Sequence, residues 1–367
     1  MSWQHTDLTG KSGGPPATAS PAGYNWGADK SLHVVYRGVD SRVQELWFRD
    51  NQWHHSTPGS KFLEDSIPRG HAQAIVPPFT QHIVYRDGAA TPHVHELTFT
   101  DGGAWKDEDL TEAAGGVPTP APDSSPVGYM WDIHKTRHVF YRGNDNRVHE
   151  LWFNGQWHKN NLTIAAGGAP LASGNPAAYT WAVDAAQHVF YRGTDRHMHE
   201  LFFKAGSNQW IHVDLSLASG ANPPLVGDVN PSCYTWNADR SQHVVYRGTD
   251  NHIHELWLRI DENKWHHTDV SAASGGTAPL AASNPYGYTW DVDKSQHVVY
   301  RGTDNFVHEL WFRADESKWH HTALNSAAGF GVKSDRDPFG CSWDVDKGQH
   351  VVYRGTDNHL HELLFRN

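Results

Sequence analysis

The sequence predicts an all-β fold, a seven-bladed β-propeller with four antiparallel strands per blade. Three observations lead to it: one strand-forming phrase recurs seven times, the copies lie about 50 residues apart, and no helical pattern is visible between them. A ring of four-stranded blades requires repeats of about this length. The 17 Trp, 33 Gly and 20 Pro among the 367 residues also suit short strands joined by many turns.

Two landmarks define the repeat. The first is the phrase His-Val-Val-Tyr-Arg or a close variant, which begins at His33, His82, His138, His188, His243, His297 and His350. The second is a Glu-Leu pair, whose glutamates are Glu45, Glu96, Glu150, Glu200, Glu255, Glu309 and Glu362. All 17 tryptophans keep register with these landmarks. Because the repeats account for the whole chain, residues 1–367 are predicted to form a single propeller domain.

Each repeat contains four short predicted strands in order. In the sixth repeat they are YGYTW, HVVYR, FVHELWF and KWHHTAL, which are rich in aromatic and β-branched residues. The GTDN segment between the second and third strands suits a tight hairpin. The last repeat ends after its third strand, and residues 3–8 resemble the missing fourth strand. Residues 1–8 are therefore predicted to complete the last blade and close the ring.

Charge and composition exclude several classes of function. A net charge of −11 without a block of Lys or Arg argues against a nucleic-acid partner. No apolar run reaches the roughly 18 residues that a membrane span needs, so no membrane insertion is expected. The start, MSWQHTDLTG, lacks the basic and apolar regions of a secretory signal peptide. We therefore expect a soluble protein that is cytoplasmic or is secreted without such a peptide.

The sevenfold recurrence of the polar groups argues against an enzyme, because a catalytic site needs its acid, base or nucleophile once. No catalytic residue and no cofactor is predicted.

A second alternative is a metal site. In some repeats two histidines share one face of a strand next to the glutamate of the Glu-Leu pair, and such histidines could bind a metal. Only four repeats carry the full pair: His93/His95, His197/His199, His252/His254 and His359/His361. We expect these histidines to be hydrogen-bonded packing residues and predict no metal.

Repeated ligand recognition is the interpretation that fits the pattern best. A neutral sugar is bound by an aromatic plane together with groups that donate and accept hydrogen bonds. Each repeat offers much of this set, and the second is left out of the candidates because it departs from the pattern. The candidate sugar-binding residues are His33, Arg37, Glu45, Trp53, His138, Arg142, Glu150, Trp157, His188, Arg192, Glu200, Trp210, His243, Arg247, Glu255, Trp265, His297, Arg301, Glu309, Trp319, His350, Arg354, Glu362 and Trp3.

Two alternatives stay open at this point. Arg247 and Glu255 could neutralise each other between paired strands, and the fourth-strand tryptophans could serve blade packing alone. The protein would then be a propeller scaffold that binds other proteins. Strand direction places the arginine and the GTDN turn at one rim, and the first-strand tryptophan and the leading histidine at the other. The sequence does not decide which rim holds pockets.

The phrase HVVYRGTDNHIHELW, followed by KWHH and GYTW, resembles the seven-bladed lectins of the Photorhabdus type over essentially the whole chain. The resemblance implies inter-blade sites for L-fucose, O-methylated sugars and galactosides, and implies homo-oligomers. A weaker similarity to the fungal fucose lectins of the Aleuria type implies a basic residue and a glutamate on successive strands. His243 and Glu255 match that relation here, and Trp265 would stack on the sugar.

Some repeats depart from the pattern. In the second repeat we assign Phe79 to the place of the first-strand tryptophan, and Thr98 replaces the tryptophan after Glu-Leu, so its pocket is expected to be inactive. Phe202 and Leu364 replace that same tryptophan in the fourth and seventh repeats, whose pockets are expected to be weakened or altered.

The two cysteines, Cys233 and Cys341, fall in the fifth and seventh blades, which are not neighbours in a ring of seven. An intrachain disulfide is not expected, because its Cα atoms must approach within about 7 Å. Two cysteines also rule out a four-cysteine zinc module. The resemblance implies an intermolecular disulfide through Cys233.

Overall fold

The computed structural model describes residues 2–73, 78–220 and 223–366 and confirms the seven-bladed propeller. Blades 1 to 7 are four-stranded antiparallel sheets, numbered in chain order. Blade 1 contains β2 to β5 (Ala22–Trp26, Ser31–Arg37, Val43–Arg49, Gln52–Ser56). Blade 2 contains β6 to β9 (Arg69–Gln73, Thr80–Arg86, Val94–Thr100, Lys106–Asp109). Blade 3 contains β10 to β13 (Val127–Trp131, Thr136–Arg142, Val148–Phe153, Trp157–Asn161).

The remaining blades repeat this plan. Blade 4 contains β14 to β17 (Ala177–Trp181, Ala186–Arg192, Met198–Lys204, Ile211–Asp214). Blade 5 contains β18 to β21 (Ser232–Trp236, Ser241–Arg247, Ile253–Arg259, Lys264–Asp269). Blade 6 contains β22 to β25 (Tyr286–Trp290, Ser295–Arg301, Val307–Arg313, Lys318–Ala323). Blade 7 contains β26 to β28 (Phe339–Trp343, Gly348–Arg354, Leu360–Phe365) and β1 (Gln4–Asp7).

The first strand of each blade packs against the first strands of the blades on both sides, so these strands form the inner ring. The hydrophobic clusters lie between neighbouring blades. Both faces of each sheet are therefore covered, which explains why Val34, Val35 and Tyr36 are all buried although they are consecutive. Asn305 adopts φ 66°, as a hairpin of the GTDN type requires.

The N-terminal strand closes the ring as the sequence predicts. In the described residues, Gln4 pairs with Leu364 and Asp7 with His361, antiparallel to β28. Leu8 follows β1 and is fully buried in the cluster between blades 7 and 1. The part of the prediction that concerns Met1 lies outside the described residues.

Short helices follow every fourth strand except β5, and the sequence analysis missed them. They are α1 to α6: Leu8–Ser12, Leu110–Ala113, Leu162–Ala165, Leu215–Ala218, Val270–Ala273 and Leu324–Ala327. One turn is too short for a hydrophobic period, but an Asp or Asn N-cap marks five of them. Within the described residues, no helix is long and apolar enough to cross a membrane.

Candidate inter-blade sugar site

Pockets open between neighbouring blades at the rim that carries the first-strand tryptophans and the leading histidines. Two of them show the arrangement clearly. The pocket between blades 3 and 4 has a volume of about 230 Å³, and the pocket between blades 6 and 7 has about 310 Å³. These volumes lie near the lower end of the range of small-molecule sites. Of the two rims that the sequence left open, this one holds the inter-blade pockets.

Two blades contribute to each pocket. In the pocket between blades 6 and 7, blade 6 provides Trp290, His297, Glu309 and Trp311, and blade 7 provides Gln349, Phe365 and Trp3. Strand alternation explains the division, because successive side chains point to opposite faces of a sheet. Residues that pair across strands share a face, so His297 and Trp311 lie on one face of blade 6, and Phe312 and Trp319 lie on the other.

The fourth-strand tryptophan therefore belongs to the pocket of the preceding blade. Trp210 of blade 4 lines the pocket that contains Glu150 of blade 3, and Trp3 lines the pocket that contains Glu309. The sequence pattern predicted that each such tryptophan lies beside the histidine and glutamate of its own repeat. The structure brings tryptophan, histidine and glutamate together, but from adjacent blades.

The leading histidine holds the glutamate in position at the base of the pocket. Its Nδ1 lies 2.6 to 2.9 Å from the glutamate Oε1 in six blades and 3.3 Å in blade 2. Its Nε2 contacts a Ser or Thr at the start of the same strand, as between His243 and Ser241 at 2.6 Å, or an Asp in the preceding turn. These histidines are at most 4 % exposed. Because both ring nitrogens have protein partners, the histidine positions the carboxylate.

The glutamate is a buried hydrogen-bond acceptor. Burial alone would raise the pKa of Glu45, but hydrogen bonds from His33, Ser56 and Tyr24 lower it. The Tyr24 hydroxyl lies 3.1 Å from Glu45 Oε1 and 2.7 Å from the amide oxygen atom of Gln81 in the next blade. Equivalent contacts link Tyr234, Glu255 and Gln296, and link Tyr288, Glu309 and Gln349. A tyrosine thus ties the carboxylate to the amide across the blade interface.

A Trp–His stack borders the pocket in four blades. Trp47, Trp152, Trp257 and Trp311 lie 4.0 to 4.3 Å, between ring centroids, from the fourth-strand histidines His54, His158, His266 and His320. In the other blades both partners differ: Thr98 pairs with Lys106, Phe202 with Ile211 and Leu364 with Gln4. The two positions change together, which indicates that the stack is one structural unit.

The arginines of the repeated phrase lie at the opposite rim, so the structure does not bring them together with the histidines and glutamates. The arginine is four residues beyond the leading histidine, roughly 13 Å along an extended strand. Arg192 donates to Gly227 O at 2.7 Å, and Arg354 donates to Ala17 O at 2.6 Å, both in the linker of the following blade. The six arginines concerned are Arg37, Arg142, Arg192, Arg247, Arg301 and Arg354.

The His-x-His pairs do not form a ligand set with the adjacent glutamate. Glu255 points to the face opposite His254, because the two residues are consecutive on β20. His254 Nε2 lies 3.1 Å from Asp250, and its Nδ1 lies 3.1 Å from His267. His252 contacts Asp269, which also caps α5. Protein partners thus account for these histidines, and the expected absence of a metal stays a prediction.

Blade 2 and the centre of the ring hold two further positions that the sequence singled out. Gln73, not Phe79, occupies the place of the first-strand tryptophan in blade 2, since it pairs with Thr80 as Trp290 pairs with Ser295. The assignment of Phe79 was wrong because the turn before β7 is longer than in the other repeats. Cys233 lines the cavity at the centre of the ring. Burial raises the pKa of the Cys233 and Cys341 thiols.

Comparison with known proteins supports the fold. No protein-family model and no curated protein matches the chain. Among solved structures, it is similar to the BP39L lectin from Burkholderia pseudomallei, with a TM-score of 0.71, 12% identity and 96% of each chain covered. It is also similar to the Aleuria aurantia lectin in complex with Fucα1-6GlcNAc, with a TM-score of 0.55, 12% identity, and 83% of this chain and 94% of that chain covered. AofleA from Arthrobotrys oligospora matches with a TM-score of 0.52 and 16% identity, and the match covers 88% of this chain and 90% of that chain. These similarities establish a propeller fold shared with lectins.

Proposed function

We propose that this protein is a non-enzymatic, multivalent lectin that binds L-fucose-type glycans in the pockets between its blades. One observation carries the proposal: a buried glutamate, a glutamine amide and tryptophan side chains meet in a pocket of sugar size, and the set recurs around the ring. A carboxylate accepts hydrogen bonds from sugar hydroxyls, and the indole rings provide apolar surface for the C–H face.

Four blade interfaces carry the complete set of tyrosine, glutamate, glutamine and Trp–His stack. They lie between blades 1 and 2, 3 and 4, 5 and 6, and 6 and 7. Between blades 4 and 5 the tyrosine–glutamine contact is kept, but Phe202 replaces the tryptophan. Between blades 7 and 1, Cys341, Leu32 and Leu364 replace tyrosine, glutamine and tryptophan. We therefore propose four sugar sites of one kind per chain.

The choice of fucose rests on the structural neighbours. The Aleuria aurantia lectin is a six-bladed propeller with a novel fucose recognition mode, and the SapL1 lectin has been solved in complex with α-methyl fucoside. The tryptophan-rich pockets of this chain also suit the methyl groups of fucose and of O-methylated sugars, because both add apolar surface. Galactosides share the axial hydroxyl pattern of fucose and form the second ligand class to test.

Isothermal titration with α-methyl-L-fucoside tests the proposal, and we expect four sites per chain. Trp311→Leu should remove one site, because it deletes half of a Trp–His stack while introducing the residue that blade 7 carries at this position. Phe202→Leu is the matched control. It introduces the same residue at the same position of an incomplete pocket and should leave the number of sites unchanged. Binding to no glycan on an array would contradict the lectin and favour the protein-binding scaffold.

A homo-oligomer, linked by a disulfide through Cys233, is a separate proposal. Cys233 lies at the centre of the ring, so a second chain would have to reach it through the mouth of that cavity. Electrophoresis without reductant should show a dimer that Cys233→Ser abolishes, and a monomer in both proteins would contradict the link.

A further inference from the structure

The pocket between blades 2 and 3 differs from the others because an arginine enters it. The residue before the leading histidine is glutamine in five blades: Gln81, Gln187, Gln242, Gln296 and Gln349. In blade 3 it is Arg137, whose side chain is only 14 % exposed. Alternation along β11 directs this side chain toward blade 2, as it directs Gln187 toward blade 3.

The guanidinium of Arg137 binds the carboxylate at the base of the pocket. Its Nη1 donates to Glu96 Oε2 at 2.6 Å and lies 3.3 Å from His82 Nδ1. Glu96 is fully buried. Burial alone would raise the pKa of Glu96, but the contacts with His82 and Arg137 lower it to about 2. The glutamate that is available to a ligand in other pockets is thus already neutralised here.

The same guanidinium also covers the aromatic wall. Its central carbon lies 4.4 Å from the ring centroid of Phe153 and 5.1 Å from that of Trp157. Phe203 and Trp210, the equivalent residues of blade 4, line the open pocket between blades 3 and 4. A cation stacked on these rings takes the surface on which a sugar would lie.

The residues around Arg137 differ from their equivalents in the other blades, and the differences make room for the arginine. Thr98 stands where four blades carry tryptophan, which leaves room for the longer side chain. His71 replaces the tyrosine, and among the residues that the structure describes neither of its ring nitrogens has a hydrogen-bond partner. Burial lowers the pKa of His71 to about 3, so it adds no second positive charge beside Arg137.

These residues do not form a metal site. The ligand atoms of His71, His82 and Glu96 lie within 4.8 Å of one another. However, the two imidazole rings are stacked, with centroids 5.0 Å apart and planes 15° apart, so a metal could not lie in the plane of both rings. The adjacent guanidinium would also repel a cation.

We propose that Arg137 acts as a built-in ligand that closes the pocket between blades 2 and 3 to sugars. The residue before the leading histidine then determines whether a blade interface is open: glutamine leaves the carboxylate and the aromatic wall available, and arginine occupies both. This inference rests on the proposed lectin function for its sugar-binding consequence, but the Arg137–Glu96 pair can be tested without sugar.

A gain of binding is the sharpest test. His71→Tyr, Thr98→Trp and Lys106→His give this interface the tyrosine and the Trp–His stack of the complete pockets. Adding Arg137→Gln to these three substitutions should raise the number of α-methyl-L-fucoside sites by one in isothermal titration. The threefold variant keeps the guanidinium in place and should add no site, which makes it the matched control. A fourfold variant that melts cooperatively and gains no site would overturn the proposal.

Two further measurements keep the proposal testable. If the fourfold variant does not fold, a crystal of the unaltered protein with α-methyl-L-fucoside decides: Arg137 in place supports the proposal, and sugar beside Glu96 overturns it. If the unaltered protein binds no sugar at all, the lectin function fails. The pair is then judged by melting temperatures of Arg137→Gln, Glu96→Gln and the double variant. Losses smaller in the double variant than their sum support the built-in ligand, and additive losses overturn it.

Discussion

At the scale of single residues, the leading histidines fall into two groups according to the residue two positions before them. A Ser or Thr hydroxyl contacts the histidine in five blades, as Ser241 contacts His243 in blade 5. Ala186 and Gly348 leave that place empty, so His188 and His350 contact Asp184 and Asp346 directly, at 3.1 and 3.2 Å. These two imidazoles each lie between two carboxylates.

The consequence is a dependence of stability on pH. Burial alone would lower the pKa of His188, but Asp184 and Glu200 raise it to about 9. A raised pKa in the folded state stabilises the protein fully below the unfolded value of 6.5, and this stabilisation is lost as the pH rises through 9. The loss is on the order of 3 kcal/mol for a shift of this size.

We predict that Ala186→Ser weakens this dependence, because the hydroxyl would separate Asp184 from His188 as Ser241 does in blade 5. Chemical unfolding between pH 6.5 and 9.5 measures it. The unaltered protein should lose unfolding free energy across the range, and the variant should lose less. Equal slopes for the two proteins would show that Asp184 does not hold the proton on His188.

The blade that each pocket side chain faces could not be inferred from the sequence. The alternation of residues along each strand already implied that Trp319 and Glu309 lie on opposite faces of blade 6. Which neighbouring blade each face meets depends on the direction of the ring, and no local pattern carries that information. Strand direction already placed the arginines and the leading histidines at opposite rims, and both stayed candidates because the sequence does not decide which rim holds the pockets.

At the scale of elements, β1 has the largest structural role for its length. It is the fourth strand of blade 7. Trp3, which lines the pocket between blades 6 and 7, precedes it, and the buried Leu8 follows it. Deleting residues 1–8 should lower the melting temperature by about 10 °C, because it exposes the edge of β28 and removes a core leucine. Deleting residues 1–2 is the control and should have little effect. A melting temperature unchanged by the longer deletion would contradict closure through β1.

The strands were more predictable than the helices. β23 and its equivalents combine β-branched and aromatic residues and end at a turn signal, so their type and their C-terminal limit could be inferred, whereas β23 begins at Ser295, ahead of the predicted start at His297. The helices have four or five residues, and their signal is a single capping residue such as Asp269 or Asn161. A pattern that short does not separate a capped turn from a loop in one sequence.

At the scale of the whole molecule, a chain of hydrogen bonds surrounds the central cavity. The residue before a proline in one blade donates its backbone N–H to the side chain of its equivalent in the next blade. Asn175 donates to Asn230 at 2.7 Å, and Asn230 donates to Asn284 at 2.8 Å. The remaining links are Ile67 to Ser125, Ser125 to Asn175, Asn284 to Asp337 and Asp337 to Ser20.

These six links join the seven blades into an open chain, because Ile67 offers no side-chain acceptor to blade 1. Arg192 and Arg354 stabilise the same interfaces through their contacts with the linkers of the following blades. A rigid ring holds the four complete pockets at fixed spacing. For glycans displayed on one surface, such an arrangement raises the avidity far above the affinity of a single site.

The most direct test of the central claim is a crystal structure of the protein with α-methyl-L-fucoside. We predict sugar in the four complete pockets and none beside Glu96. In the four pockets the sugar should lie within hydrogen-bond distance of Glu45, Glu150, Glu255 and Glu309. Sugar bound at the arginine rim or in the central cavity, or no sugar at all, would contradict the assignment of the inter-blade pockets.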